Sequence, residues 1–474
     1  MNLTATHILA LAPLLVVVLT AVVVMLSVAW RRHHFLNATL AVVGLNAALA
    51  ATVYVRWQLP ETFAITELLV FDGISVFGTV AVLVSTLGCA TLFHAYLEGL
   101  KDNREEMYLL LLCGAAGALV LVGATHMASF FIGLELMSVP LYGMIGYIVK
   151  DRRSLEASVK YLVLSGAASV FLLFGMALIY AQTGTLGFVP LGEVADTPLV
   201  VTGVAMILIA VAFKLSLVPF HLWTPDVYHG APAPVGAFLA TVSKIAVVVV
   251  LLRWWDVAGL GSVSVHVNLI AVLAAISIIG GNLLALMQNN LKRLLGYSSI
   301  SHFGFLLVAV IAGNDLSREA VLIYLLTYMA ATLSAFGVAT LLSSPYRGDD
   351  AQTLGDLRGL FWQRPLLSAV MTVSLLSLGG VPLTAGFIAK FYVIASGVRS
   401  ELWWLVGVLV AGSAIGIFYY LRVMVSMYLA VPGRRRLDAA RDWGQRSGGV
   451  MTLALALFTL AAGLYPQPLL DLLR

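Results

Sequence analysis

Glu135, Lys160, Lys214, Lys244, His302 and Lys390 all lie inside long apolar runs of a 474-residue chain. A lysine at the centre of a membrane-spanning helix costs about 2.5–3.5 kcal/mol on insertion scales. Such groups therefore face a polar interior and mark ion or proton paths. The residue types select the ion. A carrier of metal cations converges oxygens on its cargo, as carboxylates, carbonyls and hydroxyls. Here one carboxylate stands among several amines. Lysine has three donors and no acceptor, so it repels a metal cation and exchanges only a proton. Burial favours the neutral amine, whereas a nearby carboxylate favours the charged form. A lysine with a movable glutamate is thus a switchable proton site, and an imidazole that titrates near neutrality suits a relay. Taken together the set favours translocation over a structural ion pair. Singly, some members have plainer readings. Lys160 can pair with Glu156 one turn earlier or snorkel to the interface. His302 also fits a satisfied core histidine, and Arg422 reads as an interface anchor.

The elements that must hold these residues are membrane helices. The chain is 61% hydrophobic and 11% charged, against about half and a quarter in soluble domains, and its mean hydropathy is +0.99. Spans of about 20 apolar residues fall at 7–30, 35–57, 72–97, 107–124, 126–149, 155–181, 197–221, 233–255, 264–287, 295–313, 318–344, 364–397, 401–430 and 449–470. Met1–Trp30 has no basic n-region and is followed by further spans, so it reads as a retained helix rather than a signal peptide. Seventeen Lys and Arg follow odd-numbered spans, from Arg31 to Arg446, and five follow even-numbered ones: Arg56, Arg253, Arg318, Arg399 and Arg474. The positive-inside rule then places both termini on the periplasmic side of a bacterial inner membrane. The net charge of +4 reflects these loops and not a nucleic-acid partner. Two cysteines, Cys89 and Cys113, are too few for an iron–sulfur cluster, which takes about four. Dinucleotide, Walker and HExxH motifs are missing, so any redox chemistry belongs to partner chains.

Two spans are interrupted. The seventh contains Lys214-Leu215-Ser216-Leu217-Val218-Pro219, and the twelfth contains Gly379-Gly380-Val381-Pro382 ahead of Lys390. Proline removes a backbone donor, and the freed carbonyls need neighbours or water. Each break predicts a hydrated pocket beside a lysine. Interrupted spans five apart suggest two inverted five-helix repeats, although two ordinary proline kinks also fit. The expected organisation is an all-α polytopic protein: 1–106 as an N-terminal three-helix segment, 107–255 and 264–430 as the repeats, and 449–474 as a C-terminal helix. The connector Thr224–Pro234 reads as a rigid turn whose neighbouring His221, Asp226 and His229 shuttle protons or cap helix ends.

At these residues a family resemblance emerges. Gly133-Leu134-Glu135-Leu136-Met137-Ser138 resembles the span-five glutamate motif of antiporter-like subunits of respiratory NADH:quinone oxidoreductase (complex I). The stretches Ser154–Tyr161, Lys214–Tyr228 and Asn290–His302 are similar to those of its N-type members. Lys390, where M-type members carry glutamate, points the same way, as does the end of the chain soon after span fourteen, unlike the L type with its lateral helix. The resemblance covers residues 70–430. It implies paired half-channels joined by a central line of charge. In it Glu135 pairs with Lys214, Lys244 bridges toward the second repeat, His302 joins the axis and Lys390 faces the exit. It also implies NADH, FMN, iron–sulfur clusters and quinone on other membrane and peripheral subunits, with lipids and protons as further partners. A multisubunit cation/proton antiporter, a membrane-bound hydrogenase subunit and a non-transporting scaffold are the competing readings.

Overall fold

The computed structural model describes residues 4–98, 100, 103–343, 352–430 and 443–473. Lys101, Arg347, Arg434, Arg435, Arg436, Arg441 and Arg474, used in the charge count, lie outside the described residues. Twelve described helices are long and apolar enough to cross a membrane, and two shorter apolar ones, Glu106–Val122 and Pro365–Gly379, accompany them. The chain is an all-α polytopic membrane protein; the described strands are the two-residue pair Phe63–Ala64 and Val70–Phe71. Local signals set the helix ends. Asn290 accepts from the Arg293 amide to start Leu291–Ala312, and Asn314 forms a capping box for Asp315–Leu342, each satisfying amides that the first turn leaves open.

Two compact units divide the chain. The first comprises Met1–His94, Leu100–Leu215 and Thr241–Val267; the second comprises Ala95–Gly99, Ser216–Ala240 and Asn268–Arg474. Within the first, close approach of glycines brings backbones together. A Cβ on Gly117 would meet the Met137 amide nitrogen at 2.3 Å, so Glu106–Val122 lies directly on Met127–Ile145. Gly175 and Gly203 face one another likewise, a Cβ on either falling within 2.8 Å of the other's carbonyl oxygen. They join Arg152–Thr183 to Pro198–Leu215. Small residues at helix contacts permit this packing in lipid, and it gathers the helices bearing Glu135 and Lys214.

The breaks are more numerous than the sequence suggested. The seventh span stops at Leu215, and Ser216 has a left-handed backbone with φ 66°. The connector expected as a rigid turn is instead largely a helix, Trp223–Gly230, and it is buried. Pro225 is tolerated there because it is third in the helix, where the amide has no intrahelical acceptor. The eighth span, one of the twelve counted above as Ala233–Ala258, is interrupted at the single residue Thr241, between Ala233–Ala240 and Val242–Ala258. The segment Ser216–Ala240, inside the expected first repeat, packs with the second unit. The twelfth span breaks as anticipated, into Pro365–Gly379 and Ala385–Arg399. Two bases counted as loop charges, Arg253 and Lys292, are buried helix residues.

Candidate functional site

In the first unit, Glu135 and Ser138 lie one turn apart on Met127–Ile145, and Ser165 and Ser169 lie one turn apart on Arg152–Thr183. Lys214 enters between them from the last turn of Pro198–Leu215 and is buried. Its Nζ donates to Ser138 Oγ and Ser165 Oγ, both at 2.7 Å. The Tyr142 hydroxyl donates to the same Ser165 oxygen at 3.0 Å, while Ser169 donates to the half-buried Glu135 carboxylate. Lys214 and Glu135, expected as a pair, thus each have serine hydroxyls as hydrogen-bond partners. Nothing in the spacing of Ser138, Ser165 and Ser169 distinguished them from other small helix residues. Lys244, wholly buried, reaches the carbonyl oxygen of Leu215 at 2.8 Å, the end of the broken helix.

The second unit repeats that device. Lys390 stands on the helix after the break, buried, and its Nζ donates to the Gly379 carbonyl and to Ser413 Oγ, each at 2.9 Å. It also lies 5.2 Å from the Phe305 ring centroid. A cavity of about 10 Å³, lined by Lys390, His302, Tyr324, Thr327, Tyr328 and Ser377 among others, adjoins it; that is room for about one water. His302 is buried, with Nδ1 2.6 Å from the Tyr324 hydroxyl and Nε2 3.1 Å from that of Tyr420. Lys292 adds a third buried amine of the same kind, donating at 2.9 Å to the Ala231 carbonyl at the end of Trp223–Gly230. Its place beside Arg293 at the head of a span disguised it as a loop charge.

Other candidates stand apart. Lys160 is bonded to Glu156 at 2.7 Å, with 42% of its side chain exposed. Arg422 donates to the Leu286 carbonyl at 2.9 Å, capping Ser264–Leu286. Asp226 pairs with Arg293 at 2.7 Å and His229 meets Gln352 at 2.8 Å, so both tie the short helix to its neighbours. His221 is buried near Tyr297.

Chemically, these are amines held by hydroxyls and by the carbonyl ends of broken helices. The negative end of a helix dipole steadies an ammonium without the full charge of a carboxylate. An all-helical membrane protein built this way has the make-up of an antiporter-like translocating subunit.

Comparison with known proteins agrees. The family described as NADH:quinone oxidoreductase/Mrp antiporter, TM matches residues 124–416. The chain is 58% identical over 473 residues to NADH-quinone oxidoreductase subunit N of Chromohalobacter salexigens, covering 99% of both. It superposes on a chain of respiratory complex I from Thermus thermophilus with TM-score 0.84 and 33% identity, covering 97% of this chain and 98% of that one. It shares the fold of a chain in the Mrp complex from Dietzia sp., with TM-score 0.85, 23% identity, and 98% and 96% coverage. The chain belongs to the NADH:quinone oxidoreductase/Mrp antiporter membrane family and, within it, to the N subunits of NADH-quinone oxidoreductases.

Proposed function

We propose that this chain is the N-type membrane subunit through which an NADH:quinone oxidoreductase moves protons across a bacterial inner membrane. Glu135, Lys214, Lys244, His302 and Lys390 are the carriers, and Lys160 contributes from the periphery. One observation carries the reading most: Lys244 and Lys390 each cap the last carbonyl of a broken helix, at Leu215 and Gly379. A charge that satisfies a carbonyl freed in the membrane is held there by geometry, and it is free to exchange its proton if that geometry moves. The crossings number fourteen, in two inverted units over 107–255 and 264–430, with 1–106 and 449–474 outside them and both termini periplasmic. Flavin, iron–sulfur clusters and quinone belong to partner subunits, consistent with only two cysteines here. Identity of 58% to an N subunit, against 23% to the Mrp chain, favours the oxidoreductase over a stand-alone antiporter.

The test uses Lys244→Met and Lys244→Arg in the assembled complex, measuring protons moved per NADH oxidised. Methionine removes the charge, and arginine keeps it but effectively never deprotonates. Both variants lower the ratio if Lys244 cycles its proton. Arginine at full activity reduces Lys244 to a fixed charge, and full activity of both variants supports the scaffold reading instead.

A further inference from the structure

Both ring nitrogens of His302 end on phenols. Beyond Tyr420, whose hydroxyl is 3.1 Å from Nε2, the chain of contacts continues to Ser298, one turn earlier on Leu291–Ala312. On the other side Tyr324 lies 2.6 Å from Nδ1 and borders the cavity shared with Lys390. All four residues of the string are buried. A neutral imidazole has one donor and one acceptor, and a hydroxyl serves as either. Ser298, Tyr420, His302 and Tyr324 can therefore be satisfied end to end in two arrangements, of opposite polarity. The imidazole packs against the rings of Phe305 at 5.8 Å and Tyr328 at 5.3 Å, centroid to centroid. Turning it over breaks both of its hydrogen bonds in a packed site.

We propose that Ser298, Tyr420 and Tyr324 extend the route through His302 into a directional wire that passes one proton and must then be reset. The proposal rests on the reading of His302 as a carrier. At the start the Ser298 hydroxyl points to Tyr420, the Tyr420 hydroxyl to Nε2, and Nδ1–H to Tyr324. A proton arriving at Ser298 Oγ releases the original Ser298 proton to Tyr420. The Tyr420 proton passes to Nε2, and the Nδ1 proton passes to Tyr324. The original Tyr324 proton leaves through the cavity to a neutral Lys390 amine. Each relay group forms one bond to hydrogen and breaks one, so each ends neutral and one positive charge has moved to Lys390. Every donor now points the other way. A second proton in the same direction waits until the hydroxyls and ring have turned.

Tyr420→Phe and Tyr324→Phe remove one hydroxyl each and keep the ring. In the assembled complex each is expected to lower protons moved per NADH to the level of His302→Ala, and to add nothing when combined with His302→Ala. Losses that do add indicate separate structural roles and overturn the wire. A normal ratio in the tyrosine variants beside a deficient His302→Ala overturns the wire but keeps His302 as a carrier; a normal ratio in His302→Ala overturns both. Should a tyrosine variant fail to assemble, Ser298→Ala, which removes the first hydroxyl of the string, is read the same way: a ratio at the level of His302→Ala with no added loss in combination is expected, and a normal ratio overturns the wire.

Discussion

Gly380→Ala tests whether the shape of the twelfth-span break, and not merely its existence, holds Lys390 in place. Gly380 has φ 76°, a left-handed conformation that costs a residue with a Cβ about 1–2 kcal/mol. The added methyl would also lie 2.6 Å from Cδ and 3.1 Å from Nζ of Lys390, which provides all three of its nearest atoms. Comfortable carbon contacts begin at about 3.5 Å, so the flexible lysine yields and the fold does not. Swinging away forfeits the bonds to Gly379 and Ser413. Hydrogen bonds from a charged donor are worth about 1.5–3 kcal/mol each, so losing one alone depopulates the present position roughly tenfold or more. The complex should assemble, at a stability cost near the backbone penalty, while NADH-driven acidification in vesicles, normalised to assembled complex, falls markedly. Leu383 provides the control. It too is left-handed, with φ 75°, and 66% exposed. Leu383→Gly relieves the same kind of strain without adding an atom near Lys390, and should pump normally. Wild-type pumping by Gly380→Ala, or an equal loss in Leu383→Gly, refutes the reasoning.

Two further outcomes follow from the first unit. Glu135→Gln keeps an acceptor for Ser169 but removes the charge, so pumping should fall with assembly intact; unchanged proton transfer leaves Glu135 a structural partner only. The Arg253 guanidinium makes a twofold bond to Asp72, at 2.6 and 3.0 Å, and also reaches the Val122 carbonyl. Burial pushes the Asp72 carboxyl up, but the hydrogen bonds and charge of Arg253, together with hydrogen bonds from Ser75, outweigh it and hold the group below its ordinary value. A carboxyl depressed on folding adds stability above the ordinary carboxylate pKa of about 3.9, and that stability is lost as pH falls through the folded value. Asp72→Asn should therefore destabilise the subunit at neutral pH by on the order of 3 kcal/mol and flatten the acid limb of its thermal-stability profile. An unchanged acid limb counts against the pair.

The helices were legible because most spans are uninterrupted apolar runs, and the twelfth break because Pro382 and two glycines announce it. The break at Thr241 has no proline or glycine beside it, so hydropathy alone reads 233–255 as one helix. The connector misled for the opposite reason: its prolines look like turn residues, yet at the first turn of a helix proline costs little. Intramembrane charges were visible one at a time, since a lysine in an apolar run stands out on its own. Their partners were not. Ser138, Ser165 and Ser413 are ordinary membrane-helix residues until the fold brings an amine to them, and Lys292 was masked by Arg293 next to it.

The choice of base at each helix end carries a further argument. Arginines 253, 364 and 422 donate to carbonyls at or beside the ends of helices, on Val122, Leu341 and Leu286. Lysines 244, 292 and 390 do the same on Leu215, Ala231 and Gly379. Electrostatically the tasks are alike, because each places a cation at the negative end of a helix dipole. Arginine offers five donors in a rigid fork and is more weakly hydrated, so for a permanent cap it is the better residue. Two of the three lysine-capped ends, Leu215 and Gly379, are breaks within spans; all three arginine-capped helices end at connections between spans. A lysine that gives up its proton loses its charge and one of three donors, so its hold on the carbonyl weakens from a charge-assisted bond to a neutral one. If the lysines cycle protons as proposed, proton loss loosens the backbone at the breaks, whereas the arginine-capped ends keep a permanent charge. On the proposed reading of the buried lysines as carriers, that division matches exchangeable charge to the discontinuous helices and fixed charge to the anchored ends.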